Sequence, residues 1–135
     1  MSEEPENLAP DVMRTWLHNR RIVVMKLSSH SHAAIDVFVD TIITLLNEWN
    51  ADQPILILYD LRYIGFSLYL RNRSEAAARE TPDRDGRAAF VLSYSTMQRI
   101  IRYVIMTRFV RKTKLQRQIF FDYDEALEWL QEPLK

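Results

Sequence analysis

Residues 55–60 read ILILYD, a short apolar run between Pro54 and a polar turn, and no other stretch limits the fold as much. A strand with one wet face alternates apolar and polar residues. A run that is apolar at nearly every position has both faces covered, the mark of a strand inside a parallel sheet. Parallel neighbours need crossovers long enough to hold helices, so the flanking chain must supply them. Upstream, Ile35, Phe38, Val39, Ile42, Leu45, Leu46 and Trp49 fall at helical spacing, with Asn50, Asp52 and Pro54 ending the run. Downstream, a second helix is predicted from about Ser67 to Glu80, with Tyr69, Leu70, Ala76 and Ala77 inward, until TPDRDG stops it.

The remaining elements follow the same logic. VMRTWL and RIVVMKL flank HNR and are rich in β-branched or aromatic residues, which predicts an antiparallel hairpin with Asn19 in its turn and its second strand central. AAFVLSY is the next strand, residues 95–112 a third helix, RQIFF the last strand and DYDEALEWLQ the last helix. The expected class is α/β, in the order β-β-α-β-α-β-α-β-α: a mostly parallel mixed sheet with an N-terminal antiparallel hairpin. Residues 1–11, acidic and proline-containing, are expected to be a flexible lead-in, and residues 12–135 a single domain, as a length of 135 residues implies.

Composition narrows the function. With no cysteine, disulfide scaffolds, thiolate metal sites and cysteine nucleophiles are excluded. Only two glycines, Gly65 and Gly86, are present, so neither a phosphate loop nor a dinucleotide fingerprint can be built. The first residues carry no basic-then-apolar leader pattern and no apolar run reaches membrane-spanning length, so a cytoplasmic protein is expected.

The closing segment RQIFFDYDEALEWL has Asp122 placed to cap a helix start and Glu125 three residues on, with Ala126, Leu127 and Leu130 facing the core. This segment resembles the end of the SpoIIAA-like proteins, relatives of STAS domains and of the Sec14 (CRAL-TRIO) lipid-binding fold. The matching residues are Phe120 or Phe121, Asp122, Ala126, Leu127, Trp129 and Leu130. NRRIVVMKLSS resembles the family's second strand and PILILYDLR its central strand, so the likeness covers roughly residues 12–132 in element order. It implies a STAS-like α/β fold and a non-enzymatic interaction or regulatory module. STAS domains acting as anti-anti-sigma factors carry Asp-Ser-x-Gly after this strand, the serine being phosphorylated. Here the chain reads Gly65-Phe66-Ser67-Leu68-Tyr69, without the acid or the second glycine. Ser67 is thus the counterpart of the phosphoserine by position, and equally a helix N-cap.

Asp60 and Arg62 follow the central strand, where a carboxylate and a planar guanidinium could hold a polar ligand, with His30 after a neighbouring strand. The alternative is that Asp60 binds loop N–H groups and Arg62 pairs with it. Ser93, Ser95 and Asp122 also follow strands, but no Gly-x-Ser-x-Gly turn exposes a nucleophile, so no catalytic residue is assigned. His30, His32 and Asp36 are closely spaced, yet the better account is a helix start capped by Ser31, with Asp36 near its positive end; no metal or cofactor is expected.

Residues 98–121 hold seven basic residues and no acid, within a formal net charge of zero. On a helical wheel the apolar residues of 95–112 point almost everywhere, so one sheet-facing stripe cannot bury them all. Arg99, Arg102, Tyr103, Met106, Arg108, Phe109 and Val110 are therefore the candidate interface or lipid face. A second copy of the protein, the second helix, or a membrane surface could cover them. A homodimer is the first expectation, a further protein partner the next, and a lipid or fatty acid the alternative. No nucleic-acid partner is expected, for want of a binding motif.

Overall fold

A computed structural model of the chain describes residues 4–65, 67–96 and 114–133. Six strands form one sheet in chain order: β1 (Glu6–Ala9), β2 (Val12–Leu17), β3 (Ile22–Leu27), β4 (Ile55–Asp60), β5 (Gly86–Val91) and β6 (Leu115–Phe120). The pairs β1–β2 and β2–β3 are antiparallel, and β3 through β6 run parallel. The described helices are α1 (His32–Asn47), α2 (Leu68–Glu80) and α3 (Tyr123–Gln131). The expected mixed α/β architecture is therefore present. The helix expected at 95–112 lies outside the described residues beyond Thr96.

The hairpin β2–β3 turns through His18, Asn19 and Arg20, all with positive φ, and Arg21 N–H closes it on the Leu17 carbonyl at 3.1 Å. Residues 6–9 depart from the expected lead-in. They form β1, with Asn7 paired to Met13, and Arg14 reaching Glu6 at 2.7 Å. ENLA has no period-2 alternation to announce a strand; pairing with β2 and the ion pair make it one. A register shift between Asn7 and Ala9 interrupts this edge, a common guard against strand addition.

Alternation along the strands divides the core between two faces. Val23, Met25, Ile57 and Ala88 point to α1 and α2, whose inner residues include Ile35, Phe38, Ile42 and Ala77. Ile22, Val24, Leu58, Ala89 and Val91 point the other way and meet Ala126 and Leu130 of α3. ILILYD is thus covered on both sides, Ile55, Ile57 and Leu58 being at most 1% exposed. Crossovers that step in one direction with one hand put their helices on one face, and α1 and α2 accordingly share a face.

Helix starts follow the sequence closely. Ser31 accepts from Ala34 N–H, Ser67 from Leu70 N–H, and Asp122 from the N–H groups of Asp124 and Glu125. The ends are held by arginines from elsewhere. Arg84 donates to the carbonyls of Trp49, Asn50 and Gln53 beyond α1. Arg87, on β5 and only 4% exposed, donates to the carbonyls of Trp129, Glu132 and Pro133 at the end of α3. Arg84 thus ties down the loop that follows α1, and Arg87 the last turn of α3 and the residues just beyond it.

Candidate functional site

The carboxyl ends of β3 to β6 open on one edge of the sheet, the usual ligand edge of parallel α/β proteins. Asp60, the last residue of β4, is 3% exposed. Its two oxygens receive Nε and Nη2 of Arg62, both at 2.9 Å, and Oδ1 also takes the Arg62 N–H at 3.3 Å. The two residues proposed to share a ligand are bound to each other. The guanidinium's pKa rises, chiefly through its hydrogen bonds to Asp60, and the group lies over the rings of Tyr63 at 5.3 Å and Tyr123 at 5.4 Å. Tyr123 is held above the usual phenol range, first by burial and then by the Asp60 charge. Lys26, beside Asp60 in the β3–β4 register, places its ammonium 4.5 Å from the Tyr63 ring.

His30 is at the same edge in another role: its Nε2 accepts the Gly65 N–H at 2.8 Å, tying the loop after β4 to the loop after β3. Ser67 caps α2. Ser93 Oγ donates to Thr96 Oγ1 at 2.8 Å, and Asp122 is committed to the start of α3. No shared proton path joins His30, these serines and Asp122 in the hydrogen bonds of the described residues. Asp36 does not sit in the first turn of α1. It accepts from the Tyr69 hydroxyl at 2.6 Å and Arg73 Nε at 3.1 Å, linking α1 to α2, while the His32 ring stacks on Tyr69 at 3.8 Å. The Tyr69 hydrogen bond, assisted by Arg73, lowers the Asp36 pKa. Arg99, Arg102, Tyr103, Met106, Arg108, Phe109 and Val110 lie outside the described residues.

The edge also carries exposed apolar side chains that no sequence motif marks. The large hydrophobic side chains exposed among the described residues are Tyr63, Leu68, Tyr94 and Phe121; Tyr63, Tyr94 and Phe121 lie just beyond β4, β5 and β6, and Leu68 opens α2. Tyr94 and Phe121, 68% and 48% exposed, hold their rings 5.2 Å apart across neighbouring strand ends. The signal available in the sequence was position: each aromatic comes one to three residues after a strand, where its side chain has no sheet to cover.

No protein-family model matches the chain, and no match is found among curated proteins or solved structures. Among the described residues no helix is long and apolar enough to cross a membrane.

Proposed function

We propose that the chain is a SpoIIAA-like, STAS-type domain acting in the cytoplasm as a non-enzymatic interaction module, and that it self-associates through the aromatic rim at the carboxyl ends of β4–β6. The observation that carries this reading is that Tyr63, Tyr94 and Phe121 are exposed just after β4, β5 and β6, with the rings of Tyr94 and Phe121 in contact. Contiguous exposed apolar side chains mark interaction surfaces, and aromatic residues dominate the centres of protein interfaces. Charge favours a second copy as the occupant. Lys26 and Arg62 lie against Tyr63, and Asp122 and Asp124 follow Phe121, so the rim carries both signs of charge. A two-fold interface needs a patch that carries its own complement. The internal use of Asp60, Arg62, His30, Ser93 and Asp122 supports a scaffold at this edge rather than a reacting centre.

The test is sedimentation velocity over a hundredfold range of concentration. Wild type should shift from monomer to dimer mass, and the double variant Tyr94→Ser, Phe121→Ser should stay monomeric while melting within a few degrees of wild type. A wild type that is monomeric throughout, or a double variant that dimerises as before, overturns the assignment of this rim as a self-association face.

A further inference from the structure

Away from the rim, on the opposite side of β4 and β5 from α3, the described residues line a cavity of about 230 Å³. It lies between the sheet and helices α1 and α2, with Phe38, Leu46, Ile55 and Phe90 among its apolar walls. Cavities of ~150 Å³ with such walls stay dry and admit a benzene-sized guest, so this one has room for a compact molecule. Most polar side chains of the lining are already engaged or solvated. Arg84 donates to the carbonyls of Trp49, Asn50 and Gln53. Thr81 Oγ1 donates to the Ala77 carbonyl at 3.2 Å, and Asp83 accepts the Lys114 N–H at 2.8 Å. Ser74 on α2 and Arg117 on β6 are exposed, so water reaches both, and Arg117 has an interaction of its own besides. Tyr59, on β4, differs from these. Its ring stacks on Phe90 at 4.9 Å and meets Phe38 at 6.2 Å, but its hydroxyl has no hydrogen-bond partner among the described residues. Burial raises the phenol pKa strongly against the opposing charge of Arg117, so at neutral pH the hydroxyl keeps its proton and remains a donor. One uncharged O–H among apolar and aromatic walls is complementary to a neutral acceptor oxygen on a hydrocarbon ring. An anion would lose its hydration there while the cations of the lining are occupied elsewhere or held in water.

We propose that this cavity binds a compact, neutral aromatic molecule bearing one carbonyl-type oxygen, its ring against Phe38, Ile55 and Phe90 and its oxygen accepting from the Tyr59 hydroxyl. The site is separate from the rim and does not depend on self-association. Titration of the full chain with acetophenone tests it, followed by NMR of the isoleucine and leucine methyl groups. Ethylbenzene serves as the probe of similar shape without the oxygen, and benzoate as the charged one. Acetophenone should give saturable shifts at the Leu46 and Ile55 methyls. Ethylbenzene should bind about fivefold more weakly, as expected for one absent hydrogen bond, and benzoate should give no saturable shift there. Tyr59→Phe should bring acetophenone down to the affinity of ethylbenzene and leave ethylbenzene itself unchanged. This substitution keeps the ring, and a cooperative melt shows that the variant is folded. The double variant Tyr94→Ser, Phe121→Ser should bind acetophenone as wild type does, which separates this site from the rim. Absence of saturable acetophenone shifts at Leu46 and Ile55, benzoate or ethylbenzene binding as tightly as acetophenone, or an acetophenone affinity unchanged by Tyr59→Phe overturns the proposal.

Discussion

Replacing Gly86 by alanine should be among the most damaging single-methyl additions in this protein. Gly86 begins β5 directly opposite Ile55 of β4 and has φ near +153°, a region that residues with a Cβ rarely enter. A Cβ built there would lie 2.1 Å from the Ile55 carbonyl oxygen and 2.6 Å from its nitrogen. Both are backbone atoms of a central strand, so no side chain can swing aside. The backbone conformation is worth about 1–3 kcal/mol, and forcing β4 and β5 apart adds about 1–3 kcal/mol of overpacking. The expected loss, about 2–6 kcal/mol, is a large share of the 5–15 kcal/mol typical of a domain. In urea this moves the unfolding midpoint down by about 1–3 M with the slope unchanged. Gly65→Ala is the internal control, since its Cβ would meet nothing nearer than His30 Nε2 at 3.7 Å, and it should change the midpoint little. A Gly86→Ala variant within about 1 kcal/mol of wild type would refute the reasoning.

Two further outcomes follow from the charged groups. Arg62→Ala leaves the buried Asp60 carboxylate without its guanidinium and should lower stability by about 1–3 kcal/mol, whereas adding Asp60→Asn to that variant should restore part of the loss; urea unfolding of the two single variants and the double measures the coupling. Because the Asp36 pKa is lowered in the folded state, its contribution is complete above the ordinary aspartate range near about 4 and is lost as pH falls through the lowered value. The gap in melting temperature between wild type and Tyr69→Phe should therefore narrow from pH 6 to pH 3, and a gap that stays constant would show that the Tyr69 hydroxyl does not act through Asp36.

Much of the fold could be read from local pattern. The hairpin, the buried run of β4 and the starts of α1, α2 and α3 each depend on residues within a few positions of one another: alternation, continuous apolarity, or Ser31, Ser67 and Asp122 at the caps. β1 was not legible because ENLA becomes a strand only by pairing with Met13 and Arg14. The arginines that bind backbone carbonyls at and beyond the helix ends were equally hidden. Arg84 and Arg87 act on carbonyls more than 30 and 40 residues away, so no window around TPDRDG contains their targets. At the carboxyl edge, membership was legible and use was not. Strand ends told that His30, Asp60, Arg62 and Asp122 would share an edge; only three-dimensional geometry shows that Asp60 and Arg62 satisfy one another and that His30 holds a loop. Asp36 likewise falls early in α1, but Tyr69 and Arg73, from a different helix, decide what it does.

The strictly sequential strand order has a consequence for how the chain is made. Every strand after the first lies beside the one synthesised just before it, so each new piece can dock on a surface already present as it leaves the ribosome. Short separations between partners also favour rapid folding, since little chain must be closed before each pairing is rewarded. The exception is Arg87, whose carbonyl acceptors at Trp129, Glu132 and Pro133 are made more than 40 residues later. Until those residues emerge, water must stand in for those carbonyls as the guanidinium's acceptor. Seating that guanidinium is thus a late step of assembly, one that converts a growing sheet into a finished domain.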